Sequence, residues 1–459
     1  MTSQVQTTRR WTRDRSALLR VGAVGAGLAV ALAGCGTLMP GGHTGADGRV
    51  AVAAGNGPGV TEDSVKVVFI AVDLDAVQKM TGFETAAVGD QKKQIKALED
   101  WVNDNGGLGG RRMEAVFRVY DAETDSPAAE EQLCNKITQD DKAFAVVTTG
   151  QYQVNARPCY AARQTVVIDA SLFAMSQDYL EEESPYVWTA SFPEYDSFIR
   201  TYVRVLAEQE FFEGQDTVGV VAADSPVNRE SIENVAVPLL RDAEVDPEVA
   251  WVDTTDTGTL FQGLEQAAVT FRSKGIERLM FLGGSRMASV FATVAGSQDG
   301  FSPRYAISSF DNPSFFVNNP TTAPPETMKG MVGIGFHPPQ DVPDSELEFP
   351  STDTEKECLG IYEDGGVNFE SRESARVALP YCDATRLLKL GADGVEGDLN
   401  AATWATILDR DGTSFQSASG PGNALGDGGR AAVGAYRVLR FDADKGHFVY
   451  EGPEVPFDE

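Results

Sequence analysis

Histidine is nearly missing from this 459-residue chain, which contains His43, His337 and His447 and no others. That scarcity removes the commonest general base and metal ligand. The three lie far apart in sequence and far from the cysteines, and no C-x-x-C pair occurs, so no metal site of recognisable spacing is present. G-x-S-x-G, H-E-x-x-H and the P-loop pattern are absent as well. The chain is therefore read as a non-enzyme without metal or cofactor. An exported α/β hydrolase using a carboxylate pair is kept only as the weakest alternative. Basic residues are also few: 38 Lys and Arg face 68 Asp and Glu, a net charge of −30. A field of that sign repels nucleic acid and anionic membrane surfaces, which excludes both as partners held by charge. Long apolar runs are lacking too, since the run at 21–33 is shorter than the ~20 residues a spanning helix needs.

From residue 65 onward, strand-like and helix-like segments alternate. Residues 65–70 (VKVVFI) form an almost continuous apolar run of strand length, the pattern of a strand buried on both faces. Residues 86–105 place Val88, Ile95, Leu98 and Val102 on one helical stripe, which ends at Gly106-Gly107, where glycine can close a helix. A second strand is expected at 113–120, followed by a helix opening at Ser126-Pro127. Further strands are expected at 144–147, 166–168, 218–221, 279–282 and 305–308, with helices at 155–163 and from Arg229 and Arg286. This alternation predicts an α/β fold with parallel sheets, too long for one ordinary domain.

Ligands of parallel α/β sheets bind beyond the C-terminal ends of the strands. The loops so selected are Thr148-Thr149-Gly150-Gln151-Tyr152, Asp169-Ala170-Ser171, Asp224-Ser225-Pro226, Gly283-Gly284-Ser285-Arg286 and Phe310-Asp311-Asn312. Their small and hydroxyl-bearing residues allow close approach and hydrogen bonding, although Ser, Asp and Asn serve equally well as helix caps.

The N-terminus carries Arg9, Arg10, Arg13, Arg15 and Arg20 ahead of the 21–33 run, which closes on Leu32-Ala33-Gly34-Cys35. This arrangement resembles the lipobox of bacterial lipoproteins. The resemblance implies a signal peptide at 1–34, cleavage before Cys35, a diacylglycerol on its thiol, and a protein held on the extracytoplasmic face of the cell membrane. A non-lipidated signal peptide and a retained anchor helix are the competing readings. Removing 1–34 leaves 33 basic residues against 67 acidic ones. Residues 35–58, rich in Gly and Ala without apolar periodicity, read as a flexible tether. Four cysteines then remain: Cys134, Cys159, Cys358 and Cys382. An even number in an oxidising compartment suggests two disulfides, and of the three possible pairings the spacing favours Cys134 with Cys159 and Cys358 with Cys382.

Gly59-Val60-Thr61-Glu62-Asp63-Ser64-Val65-Lys66-Val67, the stretch Trp101-Val102-Asn103-Asp104-Asn105-Gly106-Gly107-Leu108-Gly109-Gly110-Arg111, Val119-Tyr120-Asp121-Ala122, and Thr189-Ala190-Ser191-Phe192-Pro193-Glu194-Tyr195-Asp196 together resemble the type I periplasmic solute-binding proteins. The resemblance is to the branch of the leucine/isoleucine/valine-binding receptors of ABC importers. It implies two Rossmann-like lobes joined by three crossover strands, at 59–190 with 336–428 and at 191–335 with 429–459. It implies a small polar ligand, such as an amino acid or amide, gripped between Gln151, Tyr152, Ala170 and Ser171 of one lobe and Asp224, Ser225, Gly284, Ser285 and Asp311 of the other. Asp311 is the expected partner of a cationic group, and ABC permease subunits the expected protein partners. A surface sensor signalling to a membrane partner is the alternative output of the same fold. Two features depart from the family: Thr149-Gly150-Gln151-Tyr152 replaces a serine-rich loop, and 336–357 is long, acidic and proline-rich, with His337 at the proposed third crossover.

Overall fold

The computed structural model describes residues 54–458 apart from 152, 172, 299, 322 and 324. Cys35, expected from sequence to be lipidated, the expected signal peptide, most of the expected tether, and Tyr152 lie outside the described residues. Two sheets organise the chain. The first is wholly parallel and contains β1 (Ser64–Val72), β2 (Arg112–Tyr120), β3 (Ala145–Thr148), β4 (Val166–Asp169) and β5 (Val187–Trp188) in the order β2-β1-β3-β4-β5. The second contains β6 (Thr217–Ala223), β7 (Asp246–Val252), β8 (Arg278–Leu282), β9 (Arg304–Ser308), β10 (Val332–Gly335), β11 (Ala435–Asp442) and β12 (His447–Pro456), ordered β12-β11-β10-β9-β8-β6-β7. Its strands β6 to β10 are parallel, and β11 and β12 add an antiparallel edge.

The strand sequences explain why both sheets are sandwiched. Val65 and Val67 to Ile70 of β1 are fully buried, as are all residues of β3 from Ala145 to Val147, because helices cover both faces. On β8 the period of two separates the faces: Leu279 and Phe281 join one core, Met280 and Leu282 the other. The core of the first sheet also takes in the later helices Asp353–Asp364, Ala378–Asp393 and Ala401–Asp411 through Cys358, Leu387 and Trp404, the last set edge-to-face on Trp188 at 5.1 Å between centroids. Ser126 caps the helix Pro127–Asn135 by accepting from Ala129 N at 3.2 Å, with Pro127 in its first turn. Both local disulfides are present, Cys134 with Cys159 and Cys358 with Cys382, at Cα separations of 6.3 and 5.9 Å.

The chain passes between the sheets three times: after β5, after β10, and before β11. These passages lie side by side. Thr189 N donates to Arg430 O and Ala432 N to Thr189 O, at 3.0 and 2.9 Å, and the rings of Phe192 and His337 are 4.9 Å apart. His337 is fully buried there. Burial pushes its imidazole down to about 3, and the nearby Arg376 charge adds to the shift, so the ring is neutral at ordinary pH.

Candidate ligand-binding cleft

The C-terminal strand ends of the two sheets face a cavity of about 270 Å3. On the first-sheet side, β1 ends at Val72 and the chain turns at Asp73, whose carboxylate caps the helix Leu74–Thr81 at Ala76 N, 3.0 Å. Leu74 and Val77 of that helix, with Phe83 beyond it, form one apolar wall. The loop after β3 contributes Gly150, whose φ of 76° suits glycine and keeps the wall open, and the loop after β4 contributes Ala170 and Ser171. On the second-sheet side, Leu260, Phe261, Val290 and Phe315 form the opposing wall. Phe83 and Phe315 meet edge-to-face across the space at 5.0 Å. Glu373, Arg376, Val377 and Pro380 close a third side.

A buried ion pair sets the rear of the first-sheet wall. Arg157 and Asp169 are both fully buried and bonded through Nε and Oδ2. The other Arg157 nitrogens donate to the carbonyls of Gln153 and Gln151, at 3.1 and 2.9 Å, and its guanidinium lies 4.0 Å from the Phe173 ring centroid. The remaining Asp169 oxygen accepts from Ser171 N at 2.6 Å, and Gln151 N donates to Ser171 Oγ at 3.3 Å. One guanidinium thus ties the loops after β3 and β4 into a single rigid surface, since charge-assisted bonds in a dry interior hold geometry strongly.

Hydrogen bonds join the two sides of the cavity. Arg376 Nη2 donates to Asn312 Oδ1 at 2.9 Å, Asn318 Nδ2 donates to Glu373, and Gln153 Nε2 donates to Thr255 O at 3.2 Å and to Asp125 at 2.9 Å. Glu84 N donates to Asn319 Oδ1 at 2.8 Å. Arg376 is the one cation among the described lining residues; of the three lining carboxylates, those of Asp125 and Glu373 already accept bonds from Gln153 and Asn318, and Glu84 is exposed.

The residues selected from sequence divide clearly. Ala170 and Ser171 line the cavity. Gln151 lies directly behind it, fully buried, and Gly150 takes its place at the surface. Asp224, Ser225, Gly284 and Asp311 do not line it, because each is used locally. Asp224 pairs with Arg229 at 2.6 Å, and Ser225 caps the helix Pro226–Ser231 at Asn228 N, 3.2 Å. Gly284, at φ 85°, opens the helix Ser285–Gly296, which brings Ser289 and Val290 to the wall; the side chain of Ser285 is outside the described set. Asp311 is buried, and its Oδ2 accepts from Ser308 N and Oγ at 2.8 Å each. Burial pushes its carboxyl up to about 8, so it faces ordinary pH largely as a neutral acid and offers no counter-charge. Its neighbour Asn312, in the left-handed region at φ 55°, reaches the cavity instead. Sequence reasoning missed Arg376 and Phe315 because neither sits in a loop directly after a parallel strand.

A family profile described as periplasmic binding protein matches residues 76–446. The chain belongs to the periplasmic binding protein family. The fold of these periplasmic binding proteins recurs in solved structures of low sequence identity. A fatty acid ABC transporter substrate-binding protein from Thermomonospora curvata is 16% identical, with 90% of this chain and 96% of that chain covered and a TM-score of 0.60. A branched chain amino acid ABC transporter from Thermus thermophilus with bound valine is 12% identical, with 86% and 97% covered and a TM-score of 0.57. A solute-binding protein from R. palustris in complex with 4-hydroxybenzoate is 14% identical, with 86% and 98% covered and a TM-score of 0.59. No curated protein matches the chain in sequence.

Proposed function

We propose that this periplasmic binding protein is the lipid-anchored, extracytoplasmic solute receptor of an ABC importer. Its lobes, 59–190 with 336–428 and 191–335 with 429–459, close on a small acid that carries an apolar body. The observation that supports the ligand class is the cavity itself: two aromatic and aliphatic walls meet at Arg376, with Ser171 and Asn312 as further polar contacts. An apolar body would displace water from Phe83, Leu260 and Phe315, and a carboxylate would accept from the Arg376 guanidinium. The three similar structures agree in chemistry, since fatty acids, valine and 4-hydroxybenzoate all join a carboxylate to an apolar group. This revises the expectation of a chiefly polar ligand. A volume near the lower end of the ~300–1,000 Å3 usual for ligand pockets favours short acids over long chains. The mechanism is differential binding: contacts supplied by both walls exist only when the lobes are closed, so the solute shifts the population toward closure by its affinity difference.

A thermal-shift panel of branched and aromatic amino acids, benzoates, fatty acids, sugars and polyamines tests the ligand class. A ligand that binds only the folded chain raises Tm by mass action. The expected responders are short apolar carboxylates, with Arg376→Gln weakening their binding about 10- to 100-fold through the lost charge-assisted bonds. A response confined to sugars or polyamines, or full affinity in Arg376→Gln, would refute this ligand class.

A further inference from the structure

A second pocket, of about 420 Å3, opens at the far edge of the second sheet from the cleft, where the parallel strands begin. Arg278 and Arg304 are the first residues of β8 and β9 and are register partners. Arg440 of β11 comes alongside through β10, whose Val332 pairs with both Arg440 and Ala306. Three guanidiniums therefore converge in a protein whose acidic residues outnumber its basic ones by 68 to 38.

Each arginine is aimed by a neutral or peripheral anchor. Arg304 Nε donates to Gly330 O at 2.6 Å, and its guanidinium lies 5.2 Å from the Phe211 ring centroid. Arg278 donates to the carbonyls of Phe211 and Glu277, at 3.0 and 3.2 Å. Arg440 Nη2 donates to Gln209 Oε1 at 2.6 Å, and its Nε reaches Glu451 at 3.3 Å. Among the described residues no carboxylate pairs with Arg304 or Arg278, although Glu208, Glu210 and Glu213 line the same pocket; Glu208 is taken by Arg204 at 2.9 Å. Burial, then the charges of Arg278 and Arg440, disfavour the charged form of Arg304. Arg440 has Glu451 as its carboxylate partner, whereas Arg278 and Arg304 have only carbonyl anchors, so their like charges repel and a bound anion offsets that cost.

We propose that this pocket binds a compact phosphate-type oxyanion, free in solution, at a site separate from the solute cleft. The Arg304 guanidinium, with those of Arg278 and Arg440 lining the same pocket, can supply several N–H donors to the oxygens of a tetrahedral oxyanion. The glutamates on the same rim disfavour an extended polyanion and restrict the site to a small group.

Calorimetric titration of inorganic phosphate into the full chain at low ionic strength tests the site. The expected result is saturable binding that weakens about tenfold or more in Arg304→Gln and in Arg440→Gln and persists in Arg272→Gln, a surface change on the helix Thr257–Ser273. Flotation with phosphatidylglycerol vesicles, against phosphatidylcholine controls, separates the sources. Phosphate binding without vesicle binding supports the free-oxyanion site, and vesicle binding abolished by Arg304→Gln would overturn it in favour of a lipid headgroup. Absence of both, or binding unchanged in folded Arg304→Gln and Arg440→Gln, would overturn the proposal and leave the reading of the solute cleft untouched.

Discussion

Asp311, Asp341 and His337 show how burial decides the charge of a side chain. All three are almost inaccessible, and they cluster where the chain leaves β9 and β10. Asp341 Oδ2 accepts from Ser309 Oγ at 2.7 Å, His337 N at 3.0 Å and Tyr450 OH at 2.7 Å, yet burial still pushes its carboxyl up to about 7. Asp311 is pushed further, to about 8. For a carboxyl raised in the folded state, the stability contribution is complete below the unfolded value near pH 4. It is lost progressively as pH rises through the folded value, because the unfolded chain ionises first. Asp311→Asn removes this dependence while keeping the acceptor for Ser308. Thermal denaturation from pH 4 to pH 9 should show Asp311→Asn level with the parent at pH 4 and gaining on it up to about pH 8. Parallel curves would exclude an acid form of Asp311 in the fold.

At the scale of elements, local chemistry fastens segments that would otherwise be loose. The acidic, proline-rich stretch that departs from the family pattern is held by Arg372, which is fully buried. Arg372 donates to Glu355 at 2.8 Å and to the carbonyls of Leu347 and Glu348 at 2.7 and 2.6 Å. Glu355 also completes a capping box with Thr352 at the start of the helix Asp353–Asp364, so one carboxylate orders both the loop and the helix it enters. That helix is tied by Cys358 to Cys382 of the helix Ala378–Asp393, across a sequence separation of 24. Loop-closure entropy for a crosslink of this span is worth about 3–4 kcal/mol in the chain-entropy model. Replacing Cys358 and Cys382 together by Ser should lower the unfolding free energy by roughly that amount, read from urea midpoints at constant m. A change under about 1 kcal/mol would mean that packing of Tyr362 and Leu387 alone holds the pair of helices together.

For the molecule as a whole, the two sheets bring distant segments to one cavity, and in the proposed receptor the N-terminal segment would set where that cavity works. Ligand capture beside a permease needs the body kept near the membrane, yet a net charge of −30 repels an anionic surface. In the proposed receptor a covalent anchor on Cys35 would resolve the conflict, with the Gly- and Ala-rich tether giving reach. A single acyl chain binds only marginally, whereas two or more hold stably. Expression of Cys35→Ser in a bacterial host should therefore move the protein from the detergent-soluble membrane fraction to the soluble extracytoplasmic fraction. Retention in the membrane fraction would count against lipidation as the anchor.

Much of the fold was legible because its signals are short-range. The apolar runs of β1, β3 and β4, the Ser126-Pro127 helix start and the closely spaced cysteines each express a local preference that survives folding. The strands β5, β7, β10, β11 and β12 were not read. Val332–Gly335 holds two glycines, and the outer half of β12 is exposed, so neither carries a buried-strand pattern. The cleft was half legible: Ala170 and Ser171 follow from the rule for parallel strand ends. Asp224, Ser225 and Asp311 satisfy that rule yet spend their polar atoms on local partners.

What the amino-acid order determined on its own was the alternation of elements, a preference for local cysteine pairing, the scarcity of histidine and the sign of the molecular charge, since each follows from composition or near neighbours along the chain. Only the tertiary structure decided that Phe83, Leu260, Phe315 and Arg376 face one space, and that three arginines share another. Those meetings depend on the crossings between sheets, which place residues hundreds of positions apart in contact and leave no trace in any short window of the chain.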